Sequence, residues 1–270
     1  MPDIHHARLA YRLSEARHRY GPRVHILAHP TLMTVLARLC SPATRQPDIS
    51  RLTRMLYQAL ALAIADNELP RARARIPTRM RKYHPEAVYD GEVIDPAARL
   101  VVVDIARAGI LPTQTCFEAF CELVRPDRVR QDHIFAQRVT ANGRVTGADL
   151  RASKIGGRFD GAFVVIPDPM AATGASLAAV VTHLEKLRRG RPRRIVAAHL
   201  IVTPEYLRRV RREHPHVRIY AVRVDRGLSA RRVLASIAGE HWDRERGLND
   251  RQYIVPGAGG FGELLSGSLE

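Results

Sequence analysis

Asp168 and the small residues after it are the residues best placed to do chemistry in this 270-residue chain. They stand in the run Phe163-Val-Val-Ile-Pro-Asp168-Pro169-Met170-Ala171-Ala172-Thr173-Gly174-Ala175-Ser176. A short apolar strand ends at the acid and a loop of small residues follows. Leu177, Val180, Val181, Leu184 and Leu187 then recur at helical spacing. Ser176 is expected at the N-cap of that helix. Such a loop turns backbone N–H groups inward at a helix N-terminus, which makes a phosphate site. Asp168 repels phosphate but accepts hydrogen bonds from sugar hydroxyls. Phosphate donors beside a hydroxyl acceptor suit a ribose 5-phosphate. Strand, small loop and helix is also the ordinary joint of an α/β sheet, so this segment alone leaves both readings open.

The elements around it must hold these groups in place. Leu100–Ile105 reads as a buried strand, and Arg107 follows its end. Pro112 opens a helix running to about Val124. Leu52, Met55, Leu56, Leu60 and Ala63 form one stripe of a helix over 50–65. Residues 71–98 are basic and contain prolines, which predicts a loop with a hairpin. Asn142-Gly143 is a turn signal that makes 134–150 a hairpin. Strands over 163–166, 194–202 and 217–224 alternate with helices over 176–189 and 204–213. That alternation predicts an α/β fold, a mostly parallel sheet flanked by helices. Residues 1–28 are polar and rich in His and Arg, and are expected to form an N-terminal helical arm packing on a neighbour. Residues 29–270 are expected as one domain. Ligands of such sheets bind beyond the carboxyl ends of strands, where Arg107, Asp168 and the loop over 253–262 all fall.

Composition bounds the class. A hydrophobic share of 46% suffices for a large core, and no apolar run is long enough to span a membrane. The N-terminus lacks a basic-then-apolar signal, so a cytoplasmic protein is expected. Cys40, Cys116 and Cys121 are an odd set without a CxxC, which argues against a disulfide framework or a zinc site. Cys116 and Cys121 are expected on a helix as small buried hydrophobes. The net charge is +16, and all basic residues but Lys82, Lys154 and Lys186 are Arg. A solvated basic face and a polyanion surface both fit this excess. Aromatic residues are not interleaved with it, so nucleic-acid binding is expected to be weak.

The loop over 168–176, DPMAATGAS, resembles the phosphoribosyl-pyrophosphate (PRPP) loop of the uracil phosphoribosyltransferases, which reads DPMLATGGS. Other blocks follow in that family's order. His29-Pro30 is similar to its HPL segment, Ile105–Ile110 to its LRAG segment, and His133–Arg138 to its HIGLYR segment. Thr203-Pro-Glu205 and Glu213–Tyr220 resemble its APEG and HPDVxIY stretches. Tyr253-Ile254-Val-Pro-Gly257 is identical to the start of its base-binding loop, YIVPGLGDAGDR. The departures cluster at the base end. Gly260 replaces the first Asp of that loop, Leu264 replaces its Arg, and Asp66–Pro70 replaces TRDLP. The chain also runs about 20 residues longer between Asp225 and Tyr253, an insertion placed at about 229–247.

The resemblance implies a phosphoribosyltransferase fold and the transfer of ribose 5-phosphate from PRPP to a nucleobase, with uracil the default base. It implies PRPP contacts from Arg107, Arg138, Asp168, Pro169, Met170, Ala171, Ala172, Thr173, Gly174, Ala175 and Ser176, with Asp168 and Arg107 nearest the chemistry. The base would lie under Tyr253, Ile254, Gly259, Gly260 and Phe261, read by the main chain of Ile254 and Gly259. Phe261 would stack on it or simply pack. Mg²⁺ would be held mainly through PRPP, with no protein ligand named. A homodimer or higher homo-oligomer is expected. The insertion would be a lid over the base pocket or a surface or dimer-contact helix. The competing reading is a catalytically degenerate regulatory or nucleic-acid-binding homologue that senses PRPP or a nucleotide.

Overall fold

The computed structural model describes residues 3–141 and 144–268, and the side chains of these except at 4, 6, 136–141, 144–149 and 151–152. In chain order the elements are α1 (Ile4–Ala7), β1 (Val24–Ile26), α2 (Pro30–Leu39), α3 (Asp48–Glu68), β2 (Arg71–Pro77), β3 (Val88–Ile94), β4 (Leu100–Ala106) and α4 (Ile110–Leu123). There follow β5 (Val129–Ala141), β6 (Arg144–Lys154), β7 (Phe163–Pro167), β8 (Met170–Ala171), α5 (Ala175–Lys186) and β9 (Arg194–Val202). The chain ends with α6 (Pro204–Glu213), β10 (Arg218–Val224), α7 (Arg231–Leu234) and α8 (Phe261–Ser266).

The main sheet runs β1-β10-β9-β7-β4-β5-β6, with β8 attached to β9. Every pair is parallel except β5 with β6, which form the expected hairpin. The Asn142-Gly143 turn expected at its tip lies outside the described residues. Central strands are apolar on both faces, as parallel strands covered by helices must be. Leu100 and Val102 of β4 pack with α2, α3 and α4 on one side. Val101, Val103 and Ile105 pack with α5 and α6 on the other. The expected hairpin in 71–98 is present as β2 and β3, paired antiparallel apart from the main sheet.

Two local expectations change. Along α3, Leu52, Leu56, Leu60 and Ala63 are buried as expected, but Met55 is exposed, and Tyr57 and Ile64 complete the buried face. The end of the stretch expected as an arm supplies the edge strand β1, and Tyr20 before it is fully buried.

The insertion is docked rather than free. Arg19 N–H donates to the Ala238 carbonyl at 2.7 Å, and the Trp242 ring meets the edge of Tyr20 at 5.1 Å between centroids. Trp242 Nε1 donates to the Pro204 carbonyl at 3.2 Å. Glu245, fully buried, accepts from Tyr20 Oη at 2.6 Å, from Arg226 Nη1 at 2.8 Å and from the Gly239 amide at 2.8 Å. These contacts clip residues 236–245 onto the N-terminal segment and α6. Beyond them, Gly247 accepts from the Val255 amide at 2.8 Å and Gly227 donates to the Val255 carbonyl at 3.0 Å. The two ends of the insertion therefore brace the loop that follows it.

Candidate active site

Strand order sets the location. From β4 the chain crosses to β5 on one side, with α4 on one face, and then returns to β7 on the other side of β4. From β7 it crosses to β9 through α5 on the opposite face. The carboxyl ends of β4 and β7 thus flank a topological switch point, where open α/β sheets leave a crevice for ligands. Arg107 follows β4 and Asp168 follows β7.

The loop over 168–174 is built from below. Asp168 O accepts from His199 Nδ1 at 2.6 Å. Pro169 O accepts from the Leu200 and Ile201 amides at 3.0 and 3.1 Å, and Met170 O from the Ala172 amide at 3.1 Å. Ala171 O accepts from the Thr203 amide at 3.2 Å, and Ala172 O from the Thr203 hydroxyl at 2.6 Å. Thr173 O accepts from Arg209 at 3.4 Å, and Gly174 O from the Ala178 amide at 3.0 Å. Every carbonyl of the loop has a donor within the protein, so none is left bare at the strand end. The first amides of α5 have no carbonyl partner within the helix and carry the positive end of its dipole. Such a helix start is chemically suited to an anion.

The helix start differs from the expectation. Gly174, not Ser176, is the N-cap of α5, with φ +78°. A β-carbon there would also meet the Tyr206 ring at 3.3 Å, so glycine is needed both for the left-handed backbone and for the close approach. Ser176 lies inside the first turn, and the Thr173 hydroxyl accepts from the Ala175 amide at 3.3 Å in its place.

His199 and Tyr206 went unnoticed in the sequence. His199 is fully buried in β9, and its second nitrogen meets Tyr206 Oη at 2.6 Å. A carbonyl only accepts, so Nδ1 carries the proton and Nε2 takes the tyrosine hydrogen. Burial pushes His199 down to about 4, which keeps it neutral. Burial and the nearby Asp168 charge hold the Tyr57 and Tyr206 hydroxyls well above the ordinary tyrosine range. Asp168 is half-buried above this neutral floor. The one signal for His199 was a polar residue inside the apolar run 195–202.

On the other side, a cleft of about 860 Å³ brings Arg107, Gly259 and Gly260 together. Cys40, Ser41, Thr44 and Arg45 from the α2–α3 connection, with Glu263 and Leu264, are among its other walls. Arg107 was expected near a buried strand end; its side chain is 61% exposed and faces Glu263 at 3.5 Å. An ion pair this exposed contributes about 0–1 kcal/mol, so the guanidinium is open to a better anion. The Ala106–Arg107 peptide is cis. Arg45 adds a second cation to the cleft, and no sequence signal marked it. Asp168 and residues 169–176 are not among the cleft walls. They stand at the adjoining strand end. Arg138 lies on β5, but its side chain is outside those described.

The loop over 253–260 is held from beneath. Buried Asp225, paired with Arg223 at 2.5 Å, accepts from the Gly257 amide at 2.7 Å. Gly259, at φ +75°, has open space where a side chain would point. Tyr253 is 54% exposed and Ile254 packs at the edge of the core. Phe261 is 3% exposed and belongs to the core. Its ring packs into the core from the start of α8.

Comparison with known proteins agrees with this fold. A uracil phosphoribosyltransferase from Acidovorax ebreus is 26% identical over 245 residues, covering 91% of this chain and 98% of its own. One from Mycoplasma genitalium is 28% identical over 170 residues, 63% of this chain and 66% of that protein. The solved structure of the AQ2163 protein from Aquifex aeolicus has the same fold, with a TM-score of 0.67 at 21% identity over 90% of this chain and 97% of that one. The family profile of uracil phosphoribosyltransferase matches residues 26–245 and stops ahead of the loop over 253–262. That match spans most of the sequence, and the chain belongs to the uracil phosphoribosyltransferase family.

Proposed function

We propose that the protein transfers the ribose 5-phosphate of PRPP to a uracil-like nucleobase and releases pyrophosphate. The observation that carries this reading is the loop over 168–174, whose carbonyls are tied back, leading into the N-terminus of α5 beside an acid at the strand end. The 5-phosphate would sit on the amides of Thr173 to Ser176 and the ribose hydroxyls on Asp168. Pyrophosphate would lie toward Arg107, whose fork suits bidentate pairing with its oxygens. The base nitrogen attacks C1 of the ribose as the bond from C1 to the pyrophosphate oxygen breaks. The electron pair leaves with pyrophosphate, and the base gives up its N–H proton to solvent. The protein's part is to fix the reacting atoms in line and to neutralise the leaving group.

Mg²⁺ fits this site in one form only. Glu263 is the sole carboxylate lining the cleft among the described residues, which is too few for a protein cage. It suits a cation held chiefly by substrate oxygens and water, which would supply charge neutralisation on pyrophosphate. A location in the cytoplasm and a homo-oligomer remain part of the proposal. No described helix is long and apolar enough to cross a membrane.

The base is expected to be uracil-like rather than uracil itself. Gly260 and Leu264 remove charge where the cleft opens, while the Ile254 and Gly259 main chain is kept for an N–H and C=O pair. The test is pyrophosphate release from PRPP and Mg²⁺ with a panel of five- and six-membered imide-like bases. Altered preference is expected. A uracil kcat/KM of about 10⁴ M⁻¹s⁻¹ or more, with every rival far lower, would show the departures to be neutral. No pyrophosphate release with any base would instead favour the sensing homologue.

Arg107→Lys keeps the charge but loses the fork. Turnover is expected to fall by about tenfold or more, the loss of about 1.4 kcal/mol of transition-state pairing. Stability should change little, because the side chain is mostly exposed. A sharp drop in Tm with normal PRPP affinity in the folded fraction would make Arg107 structural.

A further inference from the structure

At the far end of α5 from the phosphate loop, Glu185 meets His214 and His216 from the turn after α6. Glu185 and Ala175 are ten residues apart on the helix, about 15 Å, so this cluster is separate from the proposed active site. One ligand atom from each of the three residues lies within 4.8 Å of the others. Among the described residues it is the one group of His, Cys, Asp and Glu side chains so gathered. His216 Nε2 is 3.1 Å from Glu185 Oε1, close to the spacing of two ligands on one tetrahedral ion. His214 Nδ1 is 3.8 Å from Glu185 Oε2.

His214 is already set up as a ligand. It is 7% exposed, and its Nε2 lies 3.1 Å from the Ala178 carbonyl and 3.2 Å from the Thr182 hydroxyl. Donation to the carbonyl places the proton on Nε2 and leaves the Nδ1 lone pair facing the carboxylate. A lone pair facing a carboxylate is repulsive unless a proton or a cation lies between them. A ring held through its other nitrogen by a backbone carbonyl is the usual outer support of a metal-binding histidine. The segment is stiff as well, since Pro215 separates the two histidines and its carbonyl accepts from Arg23.

We propose that Glu185, His214 and His216 bind a borderline divalent cation such as Zn²⁺, with water at the open position. Two imidazoles and one carboxylate suit such an ion, whereas Mg²⁺ and Ca²⁺ need more oxygen. His183, two residues before Glu185, is engaged elsewhere, at 3.1 Å from the Ser153 hydroxyl. Arg212 pairs with Glu213 at 2.8 Å. The ion would bridge the last turn of α5 to the end of α6, the two helices that build the phosphate loop.

The test uses tag-free protein freed of metal by a chelator. Titration with ZnCl₂ by calorimetry is paired with Co²⁺ as a visible-absorption probe. Glu185 and His216 are each nearly half exposed, so Glu185→Gln and His216→Ala should fold normally. Wild type is expected to bind one Zn²⁺ per chain saturably, to give the Co²⁺ ligand-field bands of a low-coordinate site, and to gain Tm. Each variant should weaken affinity by at least about tenfold. Absence of saturable binding to wild type would overturn the site and leave a plain His216–Glu185 hydrogen bond. Binding of undiminished affinity in either variant would overturn it too, by assigning the metal to other histidines.

Discussion

Asp168→Asn is expected to weaken PRPP binding by about 1–3 kcal/mol, the cost of compromising a charged hydrogen bond in a partly buried site. The amide keeps the shape of the side chain but offers one acceptor oxygen instead of two, and turns a donor toward hydroxyl groups that also need acceptors. The loop itself should survive, because Asp168 is anchored through its main chain. Its amide donates to Ala198 O at 3.0 Å and its carbonyl accepts from His199. Loss of affinity without loss of stability is therefore the expected pattern. Calorimetric titration with PRPP and Mg²⁺, beside thermal unfolding of both proteins, reads both. Unchanged PRPP affinity removes Asp168 from the site.

Much of the sheet was legible because its strands are covered on both faces. Runs such as Leu100–Ile105 and Ile195–Val202 have no polar alternation to misread, and the breaks between them fall at Pro, Gly and Asp. The α6 limits were legible too, since Thr203 caps and Pro204 opens the helix. The start of α5 was not. Ser176 had the right residue type for a cap, but the closing geometry came from the left-handed Gly174, whose need is set by Tyr206 from another helix. Met55 shares the spacing of the α3 stripe, yet nothing covers that edge of the face, so tertiary packing decided against it. Phe261 sits in a glycine-rich run that reads as exposed loop, and the six-residue α8 turns it inward. The cleft drew Arg45 from a connection with no motif, because loops far apart in sequence meet there. The resemblance pointed to the loop over 168–176, while the supports beneath it, His199, Tyr206 and Arg209, became visible only through their distances.

Those supports give the second large effect, a loss of stability on mild acidification. His199 has a folded-state value of about 4 against about 6.5 unfolded, caused mainly by desolvation and only partly offset by the Asp168 carbonyl. The unfolded chain therefore binds a proton here that the folded one refuses. The resulting stability is fully present above about pH 6.5, declines as pH falls, and is gone below about 4. Its full size is on the order of 3 kcal/mol, of which about 2 kcal/mol should be lost between about pH 7.5 and about pH 5. Burial lowers His18 as well, so the slope of wild type is not that of His199 alone. His199→Gln isolates it. Glutamine can donate to the Asp168 carbonyl and accept from Tyr206, but does not titrate. Urea unfolding of both proteins at the two pH values should show the variant flatter by about 2 kcal/mol. Equal slopes would mean that His199 is not held neutral beneath the loop. If the slope does differ, PRPP affinity of the folded wild type should also fall toward pH 5 more than that of the variant. The proton that charges His199 would enter at Nε2, against the Tyr206 hydroxyl, and so disturb the contact on which Gly174 and the start of α5 rest.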